Sequence, residues 1–444
     1  MSGAGTRVLR LGAVAAIVVL TECGTPSAHA VSPPPIDEKW LPAPAAPAPS
    51  HPTVQRETCT AAPAVAPIDT PNQLTGLDLP RVWPLTRGAG QRVAIIDTGV
   101  SRHRRLPKLM PGGDYVFTGD GTQDCDAHGT LVAGIVGGAP DAAGDQFSGV
   151  APDVTLIGIR QSSAKFAAIG HGSGVGDVDT MAQAVRTAAD LGASVITIAS
   201  VACAPAADAL DDRALGAALA YAVDVKNAVV VAAAGNTGGG AHCPQQRSDA
   251  TQDTVTVAVS PAWYDDYVLT VGSVNAAGSP SEFSLAGPWV DVAATGEAVT
   301  SLSPVGDGLI SSVAGQPLSG TSYAAPVVSG IAALIRARFP ALTARQVMQR
   351  IEATAHHPPA GWDPFVGNGT VDAMAAVSTD PGPQPANPPH SPTPISSPPE
   401  PPARPKTSAR NTAVGGAAVG LLVVVAAGAS GRLRRPRRDD VTSH

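Results

Sequence analysis

The chain of 444 residues has few charged residues, which make up 15% of it, against about 25% in an average soluble domain. Its formal net charge is −7. It therefore has no surplus of Lys and Arg from which to build a broad basic face for a phosphate backbone. We expect no nucleic-acid partner.

The sequence also lacks the motifs of several enzyme classes. It contains no glycine-rich nucleotide-binding motif, no H-E-x-x-H zinc motif and no C-x-x-C pair. Its cluster of acidic residues matches no EF-hand loop, and Asp and Gly clusters are usually solvated turns. That cluster comprises Asp114, Asp120, Asp124 and Asp126. We therefore expect no metal site and no cofactor.

Proline is abundant but unevenly placed. Of 43 prolines, 11 lie in residues 33–71 and 12 in residues 381–405. The stretch 75–377 between them has an ordinary composition and is long enough for one large α/β domain or two small ones. The pattern predicts an ordered domain over 75–377, preceded by a Pro-rich extension over 31–74 and followed by a Pro-rich linker over 378–409.

The N-terminus has the features of a secretory signal. Arg7 and Arg10 precede the apolar run 11–20, and small residues surround Ala30. We predict a signal peptide over 1–30, cleaved after Ala30. An uncleaved membrane anchor is the alternative, although the apolar run is short for a spanning helix.

The C-terminus carries a second apolar stretch. Residues 412–430 are uncharged, and 19 residues suffice to span a bilayer once. Five arginines follow in 432–438, and such residues stay on the cytoplasmic side. We predict a transmembrane helix over 410–431 and a basic cytoplasmic tail over 432–444. The protein would then be a single-pass protein of the cell membrane, with its large domain outside.

Cysteine is scarce. Five are encoded, and removal of the signal with Cys23 leaves the four cysteines Cys59, Cys125, Cys203 and Cys243. An even number in an exported chain favours two disulfides over free thiols. The residues alone leave all three pairings open.

The periodicity of the central domain alternates between two types of segment. Short apolar runs of strand length occur at 92–96, 154–159, 194–198, 228–233 and 268–274, whereas 180–191 and 208–225 have helical spacing. This alternation predicts an α/β fold with parallel strands and helices on both faces. Active sites of such sheets lie at the carboxyl ends of the strands.

Four polar residues stand next to these predicted elements. Asp97 and Asn236 follow apolar strands, while His128 and Ser322 open apolar helices. Each alone could be a cap or a turn residue. Together they supply a nucleophile, a base, a carboxylate that fixes the tautomer of the base, and an amide for an oxyanion. The chain order Asp, His, Ser is the one found in subtilisin.

Three segments carry a family resemblance. V-A-I-I-D-T-G-V at 93–100, H-G-T-L-V-A-G at 128–134 and G-T-S-Y-A-A-P at 320–326 resemble the catalytic motifs of subtilisin-like serine proteases. The likeness extends over 75–377, including G-N-G-T-V-D-A at 367–373. It implies a subtilisin-like fold with a mostly parallel sheet.

The resemblance also implies a role for each residue. Ser322 is then the nucleophile, His128 the general base and acid, and Asp97 the residue that orients the imidazole. The Asn236 amide and the backbone N–H of Ser322 would hold the oxyanion.

One segment departs from the family pattern. V-I-T-I-A-S-V at 195–201 stands where subtilisins have V-[IV]-N-[ML]-S-[LF]-G, in a strand that pairs with the substrate and walls the S1 pocket. Ala199, Ser200 and Val201 are thereby candidate substrate-binding residues. The substitutions mean that the S1 preference cannot be carried over.

The whole chain is similar to the mycosins, the membrane-anchored subtilisin-like proteases of type VII secretion systems. The shared features are the signal, the Pro-rich extension with one cysteine, D-C-D-x-H-G-T at 124–130, and the Pro-rich linker before one apolar helix. The resemblance implies that Cys59 pairs with Cys125 and Cys203 with Cys243. The extension would then wrap the domain.

Two functions follow as hypotheses. The first is a serine endopeptidase (hydrolase) associated with type VII secretion, which cleaves exported protein substrates at the outer face of the cytoplasmic membrane. The second is mainly a structural stabiliser of the secretion membrane complex, with proteolysis secondary. A degradative enzyme released into the medium is disfavoured because the chain is predicted to be tethered.

Overall fold

The computed structural model of the chain describes residues 32–61, 72–141, 145–170, 174–205, 210–238, 243–251, 254–313 and 315–378. The chain divides into two units, 1–380 and 381–444, and all described residues lie in the first. The predicted signal peptide, transmembrane helix and basic tail lie outside the described residues, as does the linker beyond Ser378. Within the ranges given, no helix has the length and apolar character needed to cross a membrane.

A sheet of seven strands forms the centre of the domain, and every neighbouring pair in it is parallel. The strands, numbered along the chain, are β1 Thr53–Gln55, β2 Arg92–Asp97, β3 Leu109–Asp114, β4 Thr155–Arg160, β5 Phe166–Ala168, β6 Val195–Ile198, β7 Ala202–Pro205, β8 Val229–Ala233, β9 Val257–Ser260, β10 Leu269–Val274, β11 Val292–Thr295, β12 Ser301–Leu302, β13 Leu309–Ile310, β14 Ser312–Val313 and β15 Gln316–Pro317. Their order across the sheet is β11, β10, β8, β6, β2, β4, β3.

The five predicted strands coincide with the inner strands β2, β4, β6, β8 and β10 to within one residue at either end. Their continuous apolar runs are buried on both faces, as expected for a parallel sheet. The sequence did not predict the edge strands β3 and β11. Strand β3 contains Pro111, which cannot donate to a ladder and is tolerated at a sheet edge.

Helices cover both faces of the sheet. They are α1 Leu79–Val82, α2 His128–Gly137, α3 Val178–Asp190, α4 Arg213–Ala220, α5 Thr321–Arg338, α6 Ala344–Ala353 and α7 Ala373–Ser378, and a π-helical turn, Tyr221–Val225, continues α4. Helix α2 packs against α5, and α3 packs against α4. Helices α2, α3 and α5 each contact β2, whose residues after Arg92 are buried.

The N-terminal extension runs along the domain surface and contacts it at several points. The guanidinium carbon of Arg213 lies over the Trp40 ring, 4.0 Å from the ring centroid. Further along, β1 pairs antiparallel with β5. Cys59 is then bonded to Cys125, with an S–S distance of 2.08 Å. The extension therefore reaches from helix α4 to the segment immediately before α2.

The second disulfide joins Cys203 in β7 to Cys243. Strand β7 pairs antiparallel with β9, next to the loop that follows β8. Both disulfides have the pairing that the resemblance implies. Each ties a surface segment to a loop at the carboxyl edge of the sheet.

Candidate active site

Three elements bring Asp97, His128 and Ser322 together. Strand β2 ends at Asp97, helix α2 begins at His128, and α5 has Ser322 in its first turn. His128 Nδ1 lies 2.8 Å from Asp97 Oδ1 and 3.0 Å from Oδ2. On the other side of the ring, His128 Nε2 lies 2.9 Å from Ser322 Oγ. The imidazole thus bridges carboxylate and hydroxyl within hydrogen-bond distance.

The carboxylate of Asp97 is held in a closed environment. Asp97 is 1% exposed and accepts a hydrogen bond from the backbone N–H of Thr98 at 2.7 Å. Its partner His128 has a side chain that is 29% exposed, so the imidazole lies at the border between the interior and the cleft. The hydrogen bond from His128 Nδ1 therefore ties a partly exposed imidazole to a buried carboxylate.

His128 has a raised pKa. Burial alone would disfavour its charged form, but the charge and hydrogen bond of Asp97 outweigh burial, with smaller contributions from Asp124 and Asp126. The ring of Tyr323 packs beside the imidazole, with centroids 5.1 Å apart. The site is therefore arranged to stabilise an imidazolium once His128 has taken a proton.

Asn236 follows β8 and reaches the same region. Its Oδ1 accepts hydrogen bonds from the backbone N–H of Thr321 at 2.9 Å and from the Thr321 hydroxyl at 3.1 Å. These two bonds fix which way the amide faces and leave Nδ2 available as a donor. A Cβ placed on Gly320 would lie 3.1 Å from Ser322 Oγ and 3.5 Å from Asn236 Nδ2, so glycine keeps this space open.

The predicted substrate-binding residues Ala199, Ser200 and Val201 come directly after β6. Ser200 and Val201 line a pocket of about 220 Å³, together with Ser162, Asp177, Met181 and Leu215 among others. The pocket adjoins the segment that was expected to bind substrate. Its lining mixes small polar and apolar side chains.

Three of the four clustered acidic residues differ from the solvated turns that the sequence predicted. Asp114 is 1% exposed and faces Arg160, with 3.5 Å between Oδ2 and Nη1. Asp126 accepts hydrogen bonds from the Ser163 hydroxyl and from the backbone N–H of Ala164. Asp124 accepts hydrogen bonds from the backbone N–H groups of Ala127 and Thr130 at the start of α2. Across the described parts of the chain, no group of three or more His, Cys, Asp or Glu side chains is arranged to hold a metal ion.

Sequence reasoning did not predict the residues that support the four candidates. Asp124 binds the first turn of α2, Thr321 orients Asn236, and Tyr323 packs on His128. Each lies within four residues of a predicted site residue. Proximity in the motif was therefore the available signal, but the contacts of Thr321 with Asn236 and of Tyr323 with His128 join elements that are distant in the chain.

Comparison with known proteins identifies the fold and the enzyme class. The subtilase family matches residues 88–369. Mycosin-4 of Mycobacterium tuberculosis is 69% identical over 448 residues, which cover 97% of this chain and 98% of that protein.

Solved structures agree with this assignment. The MycP3 protease from the type VII (ESX-3) secretion system superimposes with a TM-score of 0.73 at 43% identity, covering 79% of this chain and 100% of that one. A chain of an intact ESX-5 inner membrane complex superimposes with a TM-score of 0.75 at 41% identity, covering 90% and 100%.

The chain belongs to the subtilase family of serine proteases, and within that family it is a mycosin. The predicted subtilisin-like α/β fold with its large parallel sheet is confirmed, as is the predicted enzyme class.

Proposed function

We propose that this mycosin is a serine endopeptidase that cleaves exported proteins at the outer face of the cytoplasmic membrane, as a component of a type VII secretion complex. The observation that carries the proposal is the position of His128 between Asp97 and Ser322, at 2.8 Å and 2.9 Å. A serine hydroxyl becomes a useful nucleophile when an oriented imidazole can take its proton.

In the acylation step, Ser322 Oγ attacks the carbonyl carbon of the scissile peptide bond while its proton passes to His128 Nε2. Asp97 holds the Nδ1–H of the resulting imidazolium and offsets its charge. Asn236 Nδ2 and the backbone N–H of Ser322 donate to the oxyanion that forms. The C–N bond then breaks as His128 gives its proton to the leaving amine.

In the deacylation step, a water molecule attacks the acyl carbon of the Ser322 ester. His128 takes a proton from this water and returns it to Ser322 Oγ as the ester bond breaks. The products are a new carboxyl terminus and a regenerated hydroxyl. Each proton transfer uses the same imidazole nitrogen, which is why the 2.9 Å contact with Ser322 matters.

The membrane location is supported by the sequence and by a relative. The predicted signal over 1–30, the predicted transmembrane helix over 410–431 and the arginines beyond it would place the protease domain outside. A 41% identical chain is part of an intact ESX-5 inner membrane complex. We therefore propose a type VII secretion membrane complex as the partner of this chain and a single-pass anchor as its attachment.

The same relative favours a second function. A chain that occupies a membrane complex can stabilise that complex independently of its chemistry. This hypothesis requires only the surfaces of the domain, not a reactive Ser322.

A Ser322→Ala variant separates the two functions. The variant and the wild type are expressed as full chains in the native membrane, and exported proteins are compared by the positions of their N-termini. The membrane complex is extracted and its mass is measured in parallel. His128→Ala serves as a second variant of the same site.

The proposal predicts that both variants lose specific processing of exported proteins while the complex keeps its mass. Unchanged processing in both variants would contradict an endopeptidase role for this site. Loss of the complex in a chain that still folds and inserts would show that the reactive site itself is needed for assembly.

A further inference from the structure

Two threonine hydroxyls connect the loop after β2 to the first turn of α2, in opposite directions. The backbone N–H of Gly129, in the helix, donates to the Thr98 hydroxyl at 2.9 Å. The backbone N–H of Ser101, in the loop, donates to the Thr130 hydroxyl at 2.9 Å. Thr98, in the loop, therefore accepts a hydrogen bond from the helix, and Thr130, in the helix, accepts one from the loop.

Asp124 fixes the direction of both hydroxyls. Its Oδ1 accepts from the Thr98 hydroxyl at 2.8 Å, and its Oδ2 accepts from the Thr130 hydroxyl at 2.6 Å. A hydroxyl has one proton, so donating it to a carboxylate leaves its lone pairs for an N–H group. Because both hydroxyls donate to the Asp124 carboxylate, both act as hydrogen-bond acceptors for the N–H groups of Gly129 and Ser101.

Asp124 also caps the helix. The helix begins after Ala127, whose side chain cannot cap and whose φ is +79°, a conformation that is uncommon for residues other than glycine. Asp124 compensates by accepting from the backbone N–H of Ala127 and of Thr130, both at 2.8 Å. Four hydrogen bonds thus converge on one carboxylate.

The loop after β2 and the first turn of α2 approach each other closely. A Cβ on Gly129 would lie 2.0 Å from the carbonyl oxygen of Gly99, so the helix start and the loop are in direct backbone contact. Asp97 is the residue before Thr98, and His128 is the residue before Gly129. Any shift along this interface therefore changes the separation of Asp97 and His128.

We propose that Asp124, acting through the Thr98 and Thr130 hydroxyls, is a positioning residue that sets the contact between Asp97 and His128. We call the set Thr98, Ser101, Asp124, Gly129 and Thr130 the Asp124 network. This inference rests on the proposed function, because it assigns a role to Asp124 in that same site. A residue with a purely structural role would affect only the stability of the fold. The role that we assign to Asp124 concerns the hydrogen bond between Asp97 and His128.

Thr98→Val and Thr98→Ser test the network without a change of charge. Valine has the shape of threonine but removes the hydroxyl, whereas serine keeps it. The full chain is solubilised and treated with a fluorophosphonate, and the second-order rate of labelling of Ser322 is measured against pH. This readout requires no knowledge of the natural substrate. Thermal unfolding is recorded for every variant.

The proposal predicts that Thr98→Val labels about 10- to 100-fold more slowly than wild type, as expected for a misplacement of the base by about 1 Å. Thr98→Ser restores most of the rate. Asp124→Asn slows labelling similarly, because an amide cannot accept from four donors. Asp126→Asn removes an equal charge near His128 but leaves the network intact, so its plateau rate stays near that of wild type.

The pH profile separates positioning from general destabilisation. His128 faces the carboxylates of Asp97, Asp124 and Asp126 and the ring of Tyr323. Since the contact with Asp97 raises the pKa of His128, loosening that contact moves the acid limb of labelling to lower pH. Thr98→Val should show this shift although it removes no charge.

Three results would overturn the inference: Thr98→Val labels at the wild-type rate, its acid limb stays in place, or Asp126→Asn slows labelling as much as Asp124→Asn. Absence of labelling in the folded wild type would instead contradict the proposed function itself. The two failures are therefore distinguishable.

Discussion

Cys59 is bonded to Cys125, which lies three residues before His128 in the chain. The next residue of the extension, Thr60, donates its backbone N–H to the carbonyl of Cys125 at 2.9 Å and its hydroxyl to the carbonyl of Asp126 at 3.2 Å. On either side of Cys125, Asp124 binds the start of α2 and Asp126 binds the loop at Ser163. The extension is thus attached at the segment that supports the candidate active site.

Replacement of both Cys59 and Cys125 by serine should lower the free energy of unfolding. The bond closes a loop with a sequence separation of 66, for which chain entropy predicts a loss of roughly 4 kcal/mol. Denaturant unfolding of the full chain in detergent measures this loss. A change below about 1 kcal/mol would show that other contacts of the extension already constrain the chain.

Asn236→Ala should lower kcat by about 10²- to 10³-fold, because one oxyanion donor is lost. Thr321→Val should have a smaller effect, since Asn236 Oδ1 keeps the backbone N–H of Thr321 and loses only the hydroxyl at 3.1 Å. A fluorogenic peptide found by library screening provides the assay. Equal losses of kcat in both variants would mean that the Thr321 hydroxyl is as important as the Asn236 amide donor.

The inner strands and the four candidate residues could be predicted from the sequence because both are local signals. Continuous apolar runs mark buried parallel strands, and Asp97, His128 and Ser322 lie in specific motifs. The role of Asp124 could not be predicted, because its partners Thr98 and Thr130 come together only when β2 and α2 pack.

The burial of Asp114 could not be predicted from the sequence either. Its carboxylate is buried because β3 pairs with β4 and brings Arg160 opposite it, a contact 46 positions apart in sequence. In sequence, Asp114 follows two glycines and looks like a turn residue. Edge strands such as β3 carry weak sequence signals, so both the strand and the ion pair were missed.

The pH dependence of activity should follow His128. Catalysis requires the neutral imidazole, and Asp97 raises the pKa of His128 against the opposing effect of burial. The acid limb of kcat/KM should therefore lie above the ordinary histidine value of about 6.5. The raised pKa of His128 also stabilises the folded state at pH values below about 6.5. This contribution to the free energy of unfolding is lost as the pH rises through the pKa of His128 in the folded state. A limb well below 6.5 would contradict a close contact between Asp97 and His128.

Arg160→Met should destabilise the domain by about 3 kcal/mol or more, because it leaves the Asp114 carboxylate buried without its cation. A second change, Asp114→Asn, should recover part of this loss. Asp153→Asn breaks the exposed pair with Arg87, whose side chains are 34% and 39% exposed, and should cost less than about 1 kcal/mol. Chemical denaturation compares the variants. Similar losses for the buried and the exposed pair would contradict this reasoning.

The central claim is that His128 and Asp97 make Ser322 a nucleophile. The most direct measurement is labelling of the full chain with a fluorophosphonate, followed by mass spectrometry of the peptide that carries the label. We expect wild type to be labelled at Ser322, with no labelling in Ser322→Ala and very little in His128→Ala. Folded wild type that remains unlabelled, or a label on another residue, would contradict the claim.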